Sequence, residues 1–97
     1  MIDLPPDQLD QVRAIVRRHL QRGEVYAFGS RVSGRARRFS DLDLMIKTEA
    51  AVPWQTLADL RESFEASTLP ILVDVVDWNA CSETFRQEVG GKLERIA

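Results

Sequence analysis

Hydrophobic positions along the chain repeat with helical spacing in three places. The first helix is predicted to begin at Pro5-Pro6-Asp7, where proline is tolerated in the first turn, and to end at Gly23. Its apolar stripe consists of Leu9, Val12, Val16 and Leu20. A second helix opens at Val52-Pro53, and we expect its buried side to be formed by Trp54, Leu57, Ala58, Leu60 and Phe64. Ser82 fits the N-cap of a last helix that starts at Glu83 and ends near Gly90-Gly91.

Short apolar runs between these helices predict three strands. They cover Val25–Phe28, Asp41–Ile46 and Ile71–Val76, and the basic residues 31–40 are expected to form a short helical turn and a loop. The predicted order is therefore helix, strand, strand, helix, strand, helix. Three strands with helices packed on one side give an α+β, or mixed α/β, fold class. We expect residues 1–97 to form a single domain.

Composition and charge exclude several classes of protein. Of the 97 residues, 44% are hydrophobic and 29% are charged, which is ordinary for a globular chain. The net charge of −2 does not suggest a general nucleic-acid binder, and we expect no direct nucleic-acid contact. Cys81 is the only cysteine, and no apolar run approaches the length of a membrane span. We therefore expect a cytoplasmic protein.

The stretch around residues 28–46 contains the candidate chemistry. A turn at Gly29-Ser30 follows the first predicted strand, and Asp41 and Asp43 follow after ten further residues. Side chains alternate across a strand, so the two carboxylates share one face. Two adjacent carboxylates resist joint ionisation unless a cation lies between them, and their oxygens suit Mg²⁺ or Mn²⁺. Gly29 permits a close backbone approach, and Ser30 offers a hydroxyl and an amide to phosphate. This combination predicts a site for a nucleoside triphosphate and its metal.

A third carboxylate is expected on the last predicted strand, where Asp74 and Asp77 compete. Leu72, Asp74 and Val76 would share one face, and Asp77 would lie on the other. We prefer Asp74, because a carboxylate placed in mid-strand among apolar residues is costly unless it is paired or coordinated. Exposure or capping would account for Asp77 at the end of the strand.

Three segments together resemble a known family. Tyr26–Arg31, Ser40–Leu44 and Val73–Trp78, in this order, are similar to the minimal nucleotidyltransferases of the DNA polymerase β-like nucleotidyltransferase superfamily. The resemblance implies a small mixed sheet covered by helices, with ATP as substrate and Mg²⁺ or Mn²⁺ as cofactor. It implies that Asp41, Asp43 and Asp74 are the metal ligands. It also gives Asp74 the task of taking the proton from the attacking hydroxyl.

The resemblance also implies a partner. Such proteins pair with helical HEPN-domain proteins, and in the best understood pairs the transferase is an antitoxin that moves AMP from ATP onto a tyrosine of a toxic RNase. Two alternatives remain: a non-catalytic binding antitoxin, and nucleotidyl transfer to a small-molecule hydroxyl with a HEPN-like substrate-binding subunit. Since 97 residues leave no room for an acceptor-binding domain, we expect a partner to complete the cleft. A candidate docking face on the C-terminal segment consists of Phe85, Val89, Leu93 and Ile96.

Four arginines lie between the turn and the aspartates. Arg31, beside Ser30, is the predicted phosphate contact, because guanidinium groups match phosphate geometry. Arg35, Arg37 and Arg38 form either a solvated basic loop or an electrostatic contact with phosphate or partner. The sequence leaves that choice open, together with the nucleotide, the acceptor residue, the stoichiometry and the physiological metal.

Overall fold

A computed structural model describes residues 2–97. The three predicted helices are present as α1 (Pro6–His19), α3 (Trp54–Glu65) and α4 (Glu83–Gly90), but α1 ends at His19, before the predicted stop at Gly23, because Leu20 is already extended. The short helical turn after Gly29 is α2 (Ser30–Ser33), and a 3₁₀ turn follows the third strand at Trp78–Ala80. The strands are β1 (Glu24–Phe28), β2 (Leu42–Lys47), β3 (Val73–Asp77) and β4 (Glu94–Arg95). No helix within the described range is both long and apolar enough to cross a membrane.

The four strands form one mixed sheet in the order β3-β2-β1-β4. β1 pairs antiparallel with β2 and with β4, whereas β2 and β3 are parallel. A parallel pair needs a crossover connection, and α3 supplies it here. The register places Phe28 opposite Asp43 and Asp43 opposite Asp74, so these three residues lie side by side on one face. We call this the site face. The mixed α/β fold class expected from the sequence is confirmed.

The opposite face of the sheet forms the core together with α1 and α3. Strand alternation turns Leu42, Leu44 and Ile46 of β2 to this side, where each is at most 1% exposed. Val12 and Val16 of α1 cover them as predicted, and Leu60 and Phe64 of α3 belong to the same apolar cluster. This packing fixes the backbone of β2, and therefore fixes where the polar residues of β2 emerge on the site face.

Two helix predictions need correction. Trp54 was expected on the buried side of α3, but it is 77% exposed, because it is the first residue of the helix and lies outside the core cluster. Helices were also expected on one side of the sheet only. Phe85 of α4 instead packs edge-on against Phe28, with ring centroids 6.0 Å apart, so α4 lies against the site face.

The C-terminal segment was predicted to offer a docking face, and the structure contradicts this for Ile96. Residues Glu94–Arg95 form β4 beside β1, which turns Ile96 into the core, where it is only 3% exposed. Its backbone amide donates to the carbonyl of Val25 at 2.8 Å. The last described residues therefore add an edge strand to the sheet. Phe85, Val89 and Leu93 are half-buried.

Candidate active site

The three predicted carboxylates meet at one end of the site face. Asp43 lies on β2 between its register partners Phe28 on β1 and Asp74 on β3. Asp41 directly precedes β2, on the same side of the chain as Asp43. Asp41 and Asp74 are exposed and Asp43 is half-buried. The site thus has a partly sheltered central carboxylate with an accessible one on either side.

Electrostatic repulsion within this group is visible at Asp43. Burial raises the pKa of its carboxyl group above the usual range, and the neighbouring Asp74 and Asp41 carboxylates raise it further. Ionising Asp43 therefore costs more than ionising a free aspartate, and a nearby positive charge would lower that cost. Within residues 2–97, no three histidine, cysteine, aspartate or glutamate side chains already converge at ligand spacing.

Asp74 and Asp77 lie on opposite faces of β3, as strand alternation predicts, but their surroundings differ from those expected. Asp74 is exposed and its Oδ1 accepts a hydrogen bond from the Val75 amide at 3.0 Å. The cost of burial, which favoured Asp74 in the sequence, is therefore absent. Its position beside Asp43 favours it instead. Asp77 is only 5% exposed and accepts from the Val52 amide at 2.9 Å and from the Asn79 amide at 3.0 Å. Capping, not exposure, explains Asp77.

Gly29 is required by both its conformation and its neighbour. Its φ of +80° lies in the region that side-chain-bearing residues avoid. A Cβ at this position would lie 2.5 Å from Oδ2 of Asp43, so the carboxylate rests against the bare backbone of the turn. The Gly29 carbonyl accepts from the amides of Val32 and Ser33, both at 3.0 Å, and this starts α2. The predicted turn and the predicted carboxylate are thus in direct contact.

Arg31 does not present its guanidinium group to a ligand, contrary to the prediction. The residue is only 7% exposed. Its guanidinium group donates to the backbone carbonyls of Asp3, Arg38 and Ser40, at distances from 2.9 to 3.2 Å. Most of the donors that could hold a phosphate are therefore used inside the protein. Arg35, Arg37 and Arg38 are exposed.

Two clefts flank the carboxylates. One, of about 490 Å³, lies between α2 and α4 and includes Phe28, Gly29, Val32, Ser33 and Val89 in its lining. The other, of about 500 Å³, lies at the β3 edge and includes Asp41, Asp74, Leu72, Pro70 and Arg61. Leu72 is 71% exposed, and sequence reasoning gave it no role beyond sharing a face with Asp74. The sequence could have indicated that Leu72 lies beside the carboxylates, because a residue two positions before Asp74 on the same strand lies on the same face.

Asparagine in place of Asp43 should raise the melting temperature of the metal-free protein at pH 7. The folded-state pKa of Asp43 is raised, so its contribution to stability is present below the unfolded pKa of about 3.9 and is lost as pH rises through the folded value. Asparagine never ionises, and the difference between the two proteins should therefore vanish toward pH 4. Melting curves without divalent metal, recorded from pH 4 to 8, measure this difference. A variant that is less stable than the parent at pH 7 would contradict it.

A mixed sheet that holds a carboxylate cluster against a glycine-serine turn defines the nucleotidyltransferase class of fold. The family model described as Polymerase beta, Nucleotidyltransferase matches residues 10–96. The probable protein adenylyltransferase MntA of Haemophilus influenzae is 40% identical over 86 residues, which cover 89% of this chain and 75% of that protein. The chain therefore belongs to the polymerase β nucleotidyltransferase family, among its MntA-type minimal members.

Solved structures agree on the fold. A chain from a toxin–antitoxin crystal structure with AMP-PNP superposes with a TM-score of 0.76 at 23% identity, covering 92% of this chain and 72% of its own length. A structure of a tri-AMPylated Shewanella oneidensis HEPN toxin in complex with MNT antitoxin gives a TM-score of 0.68 at 20% identity, covering 92% and 68%. At these identities the similarity establishes a shared architecture.

Proposed function

We propose that this chain transfers AMP from ATP to the hydroxyl group of a tyrosine in a HEPN-type partner. The chain would act as an antitoxin in this way. The observation that carries the proposal is that Asp43, beside Asp74 in the sheet and two residues after Asp41, lies against the Gly29 backbone. The adenylyltransferase name of the Haemophilus influenzae relative supports the reaction. The AMPylated toxin in the Shewanella oneidensis complex supports the class of acceptor.

The proposed metal ligands are Asp41, Asp43 and Asp74. The donor set fits a hard divalent cation such as Mg²⁺ or Mn²⁺, because it consists of carboxylate oxygens, and burial together with the neighbouring carboxylates raises the pKa of Asp43. When bound, divalent ions neutralise the triphosphate and stabilise the attacking and leaving oxygens. Asp43 is half-buried and held by β2. Asp43 would therefore set the position of the bound metal ion, while the exposed side chains of Asp41 and Asp74 adjust to that ion.

The nucleotide would occupy the side of the cluster nearer β1. Gly29 allows a phosphate to approach the backbone closely, and the Ser30 hydroxyl and amide lie next to it at the start of α2. The cleft between α2 and α4 opens directly from this turn and offers apolar surface at Phe28 and Val89. The triphosphate and the remainder of the nucleotide can therefore occupy adjoining parts of one depression.

The acceptor would approach from the β3 edge, because the attacking and leaving oxygens lie on opposite sides of the phosphorus in an in-line displacement. The acceptor oxygen forms a bond to the α-phosphorus as the bond to the bridging oxygen of pyrophosphate breaks. Asp74 takes the acceptor's proton. Its exposed position at the second cleft suits this role. The products are AMP-modified partner and pyrophosphate.

Intact mass spectrometry tests the proposal. The purified chain is mixed with the protein encoded beside it, as the candidate HEPN-type partner, together with ATP and Mg²⁺, and the mass of each protein is measured before and after. A gain of AMP on the partner that is lost in Asp41→Ala is the expected result. A stable complex without a mass gain from any of the four nucleotides would overturn the proposal, and would favour a non-catalytic binding antitoxin.

Leu72→Asp should weaken use of the partner without changing use of the nucleotide. Leu72 lines the cleft at the β3 edge, beside Asp41 and Asp74, and its side chain is exposed. An added carboxylate there would remove apolar contact area and would have to lose its hydration when the acceptor segment binds. Steady-state AMP transfer should show roughly a tenfold rise in the KM for the partner, equivalent to about 1.4 kcal/mol, with the KM for ATP unchanged.

Trp54→Asp provides the matched control. Trp54 is exposed to a similar extent, at 77%, but lies at the start of α3 and lines neither of the clefts that flank the carboxylates. Its replacement should leave both KM values unchanged. Equal effects of the two substitutions, or a change in the KM for ATP with Leu72→Asp, would place the acceptor elsewhere.

A further inference from the structure

Arg31 is a buried cation whose hydrogen-bond partners are backbone carbonyls. Nε donates to the Ser40 carbonyl at 3.2 Å, and Nη2 donates to the same oxygen at 2.9 Å. Nη2 also donates to the Arg38 carbonyl at 3.1 Å, and Nη1 donates to the Asp3 carbonyl at 3.1 Å. Arg31 makes no ion pair among residues 2–97. Burying a guanidinium group without a counter-ion is costly, so the burial of Arg31 needs an explanation.

The bonds join three segments that are separate in the chain. Arg31 belongs to α2, Arg38 and Ser40 end the loop that leads into β2, and Asp3 precedes α1. The Asp3 amide returns a bond to the Arg31 carbonyl at 2.7 Å, so the N-terminal segment is fixed to α2 from both sides. Within the loop, the Ser40 hydroxyl accepts from the Arg37 amide at 2.8 Å. The last turn of the loop is therefore held firmly although most of its side chains are exposed.

Ser40 immediately precedes Asp41, so fixing the Ser40 carbonyl also restrains the backbone of Asp41. The guanidinium fork fixes the Ser40 carbonyl and with it the peptide plane from which Asp41 begins. The Leu42 amide is fixed on the other side, because it donates to the Leu72 carbonyl at 2.9 Å. Asp41 thus lies between two anchored peptide groups. Its backbone is defined, even though its side chain is exposed and it stands just outside β2.

We propose that Arg31 is a positioning residue that places Asp41 for metal binding; this rests on the proposed role of Asp41 as a metal ligand. The fork suits the task, because a planar guanidinium donates along several fixed directions at once, whereas an ammonium group at the end of a flexible stem does not. Groups behind a metal ligand typically alter metal affinity or activity by roughly 10–100-fold when they are removed. Arg31 acts through Ser40 and touches neither nucleotide nor acceptor.

Arg31→Lys tests this with a readout that does not depend on AMP transfer. Binding of Mn²⁺ to the chain alone, without nucleotide, is measured by electron paramagnetic resonance at 10 °C, together with kcat and the KM for ATP at saturating metal. We expect roughly tenfold or greater weakening of Mn²⁺ binding, a lower kcat and an unchanged KM for ATP. Arg18→Lys, at an exposed residue of α1 that lines neither of the clefts beside the carboxylates, should change none of the three. Arg31→Gln is measured in parallel, so that one variant remains if the other fails to fold.

Other outcomes overturn the inference or separate it from the proposed function. Unchanged Mn²⁺ affinity with a raised KM for ATP would make Arg31 a phosphate contact. A lowered melting temperature with unchanged Mn²⁺ affinity would make it a purely structural residue. Loss of Mn²⁺ binding in Asp41→Ala, but no AMP transfer by the parent, would refute the proposed function while leaving the positioning role intact. A parent chain that binds no Mn²⁺ would refute the positioning role itself.

Discussion

Asparagine in place of Asp43 is expected to lower AMP transfer to the partner by roughly a thousandfold, the scale on which removal of a preorganised charge-stabilising group acts. Asp43 is the central carboxylate of the site, with Asp41 before it on the same chain and Asp74 beside it on β3. Asparagine has nearly the same shape and keeps one oxygen, but it lacks the negative charge that a divalent cation requires. The effect should therefore fall on kcat rather than on binding of the partner.

The fold should tolerate this substitution. Asp43 contributes repulsion rather than attraction in the metal-free protein, because burial and the neighbouring carboxylates raise its pKa. Circular dichroism and a pull-down with the HEPN-domain protein should match those of the parent, and intact mass measures the transfer. Asp41→Ala serves as a companion variant that should lose transfer as well. Labelling that persists in both variants would rule out the carboxylate chemistry.

Alanine in place of Asp77 is expected to have the opposite profile, with a large loss of stability. The Asp77 carboxylate is buried and accepts from the amides of Val52 and Asn79. Removing it leaves two donors without partners, which costs about 2–4 kcal/mol. For a domain of this size the melting temperature should fall by roughly 10–25 °C. The Asn79 side chain donates to the carbonyls of Thr48 and Ala50, so the 48–52 connection should loosen as well.

Measured well below its melting temperature, Asp77→Ala should still transfer AMP, because Asp77 faces the core side of β3 and not the carboxylate cluster. Urea denaturation gives the stability, and the mass assay at 10 °C gives the activity. Asp43→Asn is the natural comparison, since both substitutions remove one aspartate from neighbouring strands. A folded Asp77→Ala protein with full stability and no transfer would exchange the roles assigned to Asp74 and Asp77.

Periodicity was sufficient to predict most of the secondary structure. The stripe from Leu9 to Leu20 and the apolar runs of the first three strands are strong signals, because burial of one face repeats at a fixed interval. The Gly29-Ser30 and Asp41-x-Asp43 spacing also predicted that the turn and the carboxylates come together, and Asp43 does lie against Gly29. The three carboxylates are indeed adjacent, since strand alternation and parallel pairing of β2 with β3 follow simple rules.

Features that depend on long-range pairing were not predictable. β4 is only two residues long and shows no alternation, and its existence depends on the exposed edge of β1. Trp54 is a residue type that is often buried, but it is the first residue of α3 and lies outside the apolar cluster. Arginine is usually a surface residue, and the burial of Arg31 is explained only by the backbone carbonyls that surround it in the folded chain.

Asp74 remains the predicted third carboxylate, but the structure supports it by a different observation, its place beside Asp43 in the sheet. Leu72 and Val76, which share its face, suggested apolar surroundings, but Leu72 is 71% exposed and Asp74 is itself exposed. The sequence cannot reveal that this part of the site face is uncovered, because that depends on where α4 packs. α4 lies near β1, against Phe28, and so leaves the β3 edge accessible.

The contact between Gly29 and Asp43 bears on how related sequences can diverge. The three atoms nearest to a Cβ at position 29 all belong to Asp43, so losing that carboxylate would remove the steric barrier. The positive φ would still favour glycine. Glycine should therefore outlast the aspartate in descendants that have abandoned catalysis. In such a lineage the turn marks ancestry, whereas the carboxylate that rests against it marks a working enzyme.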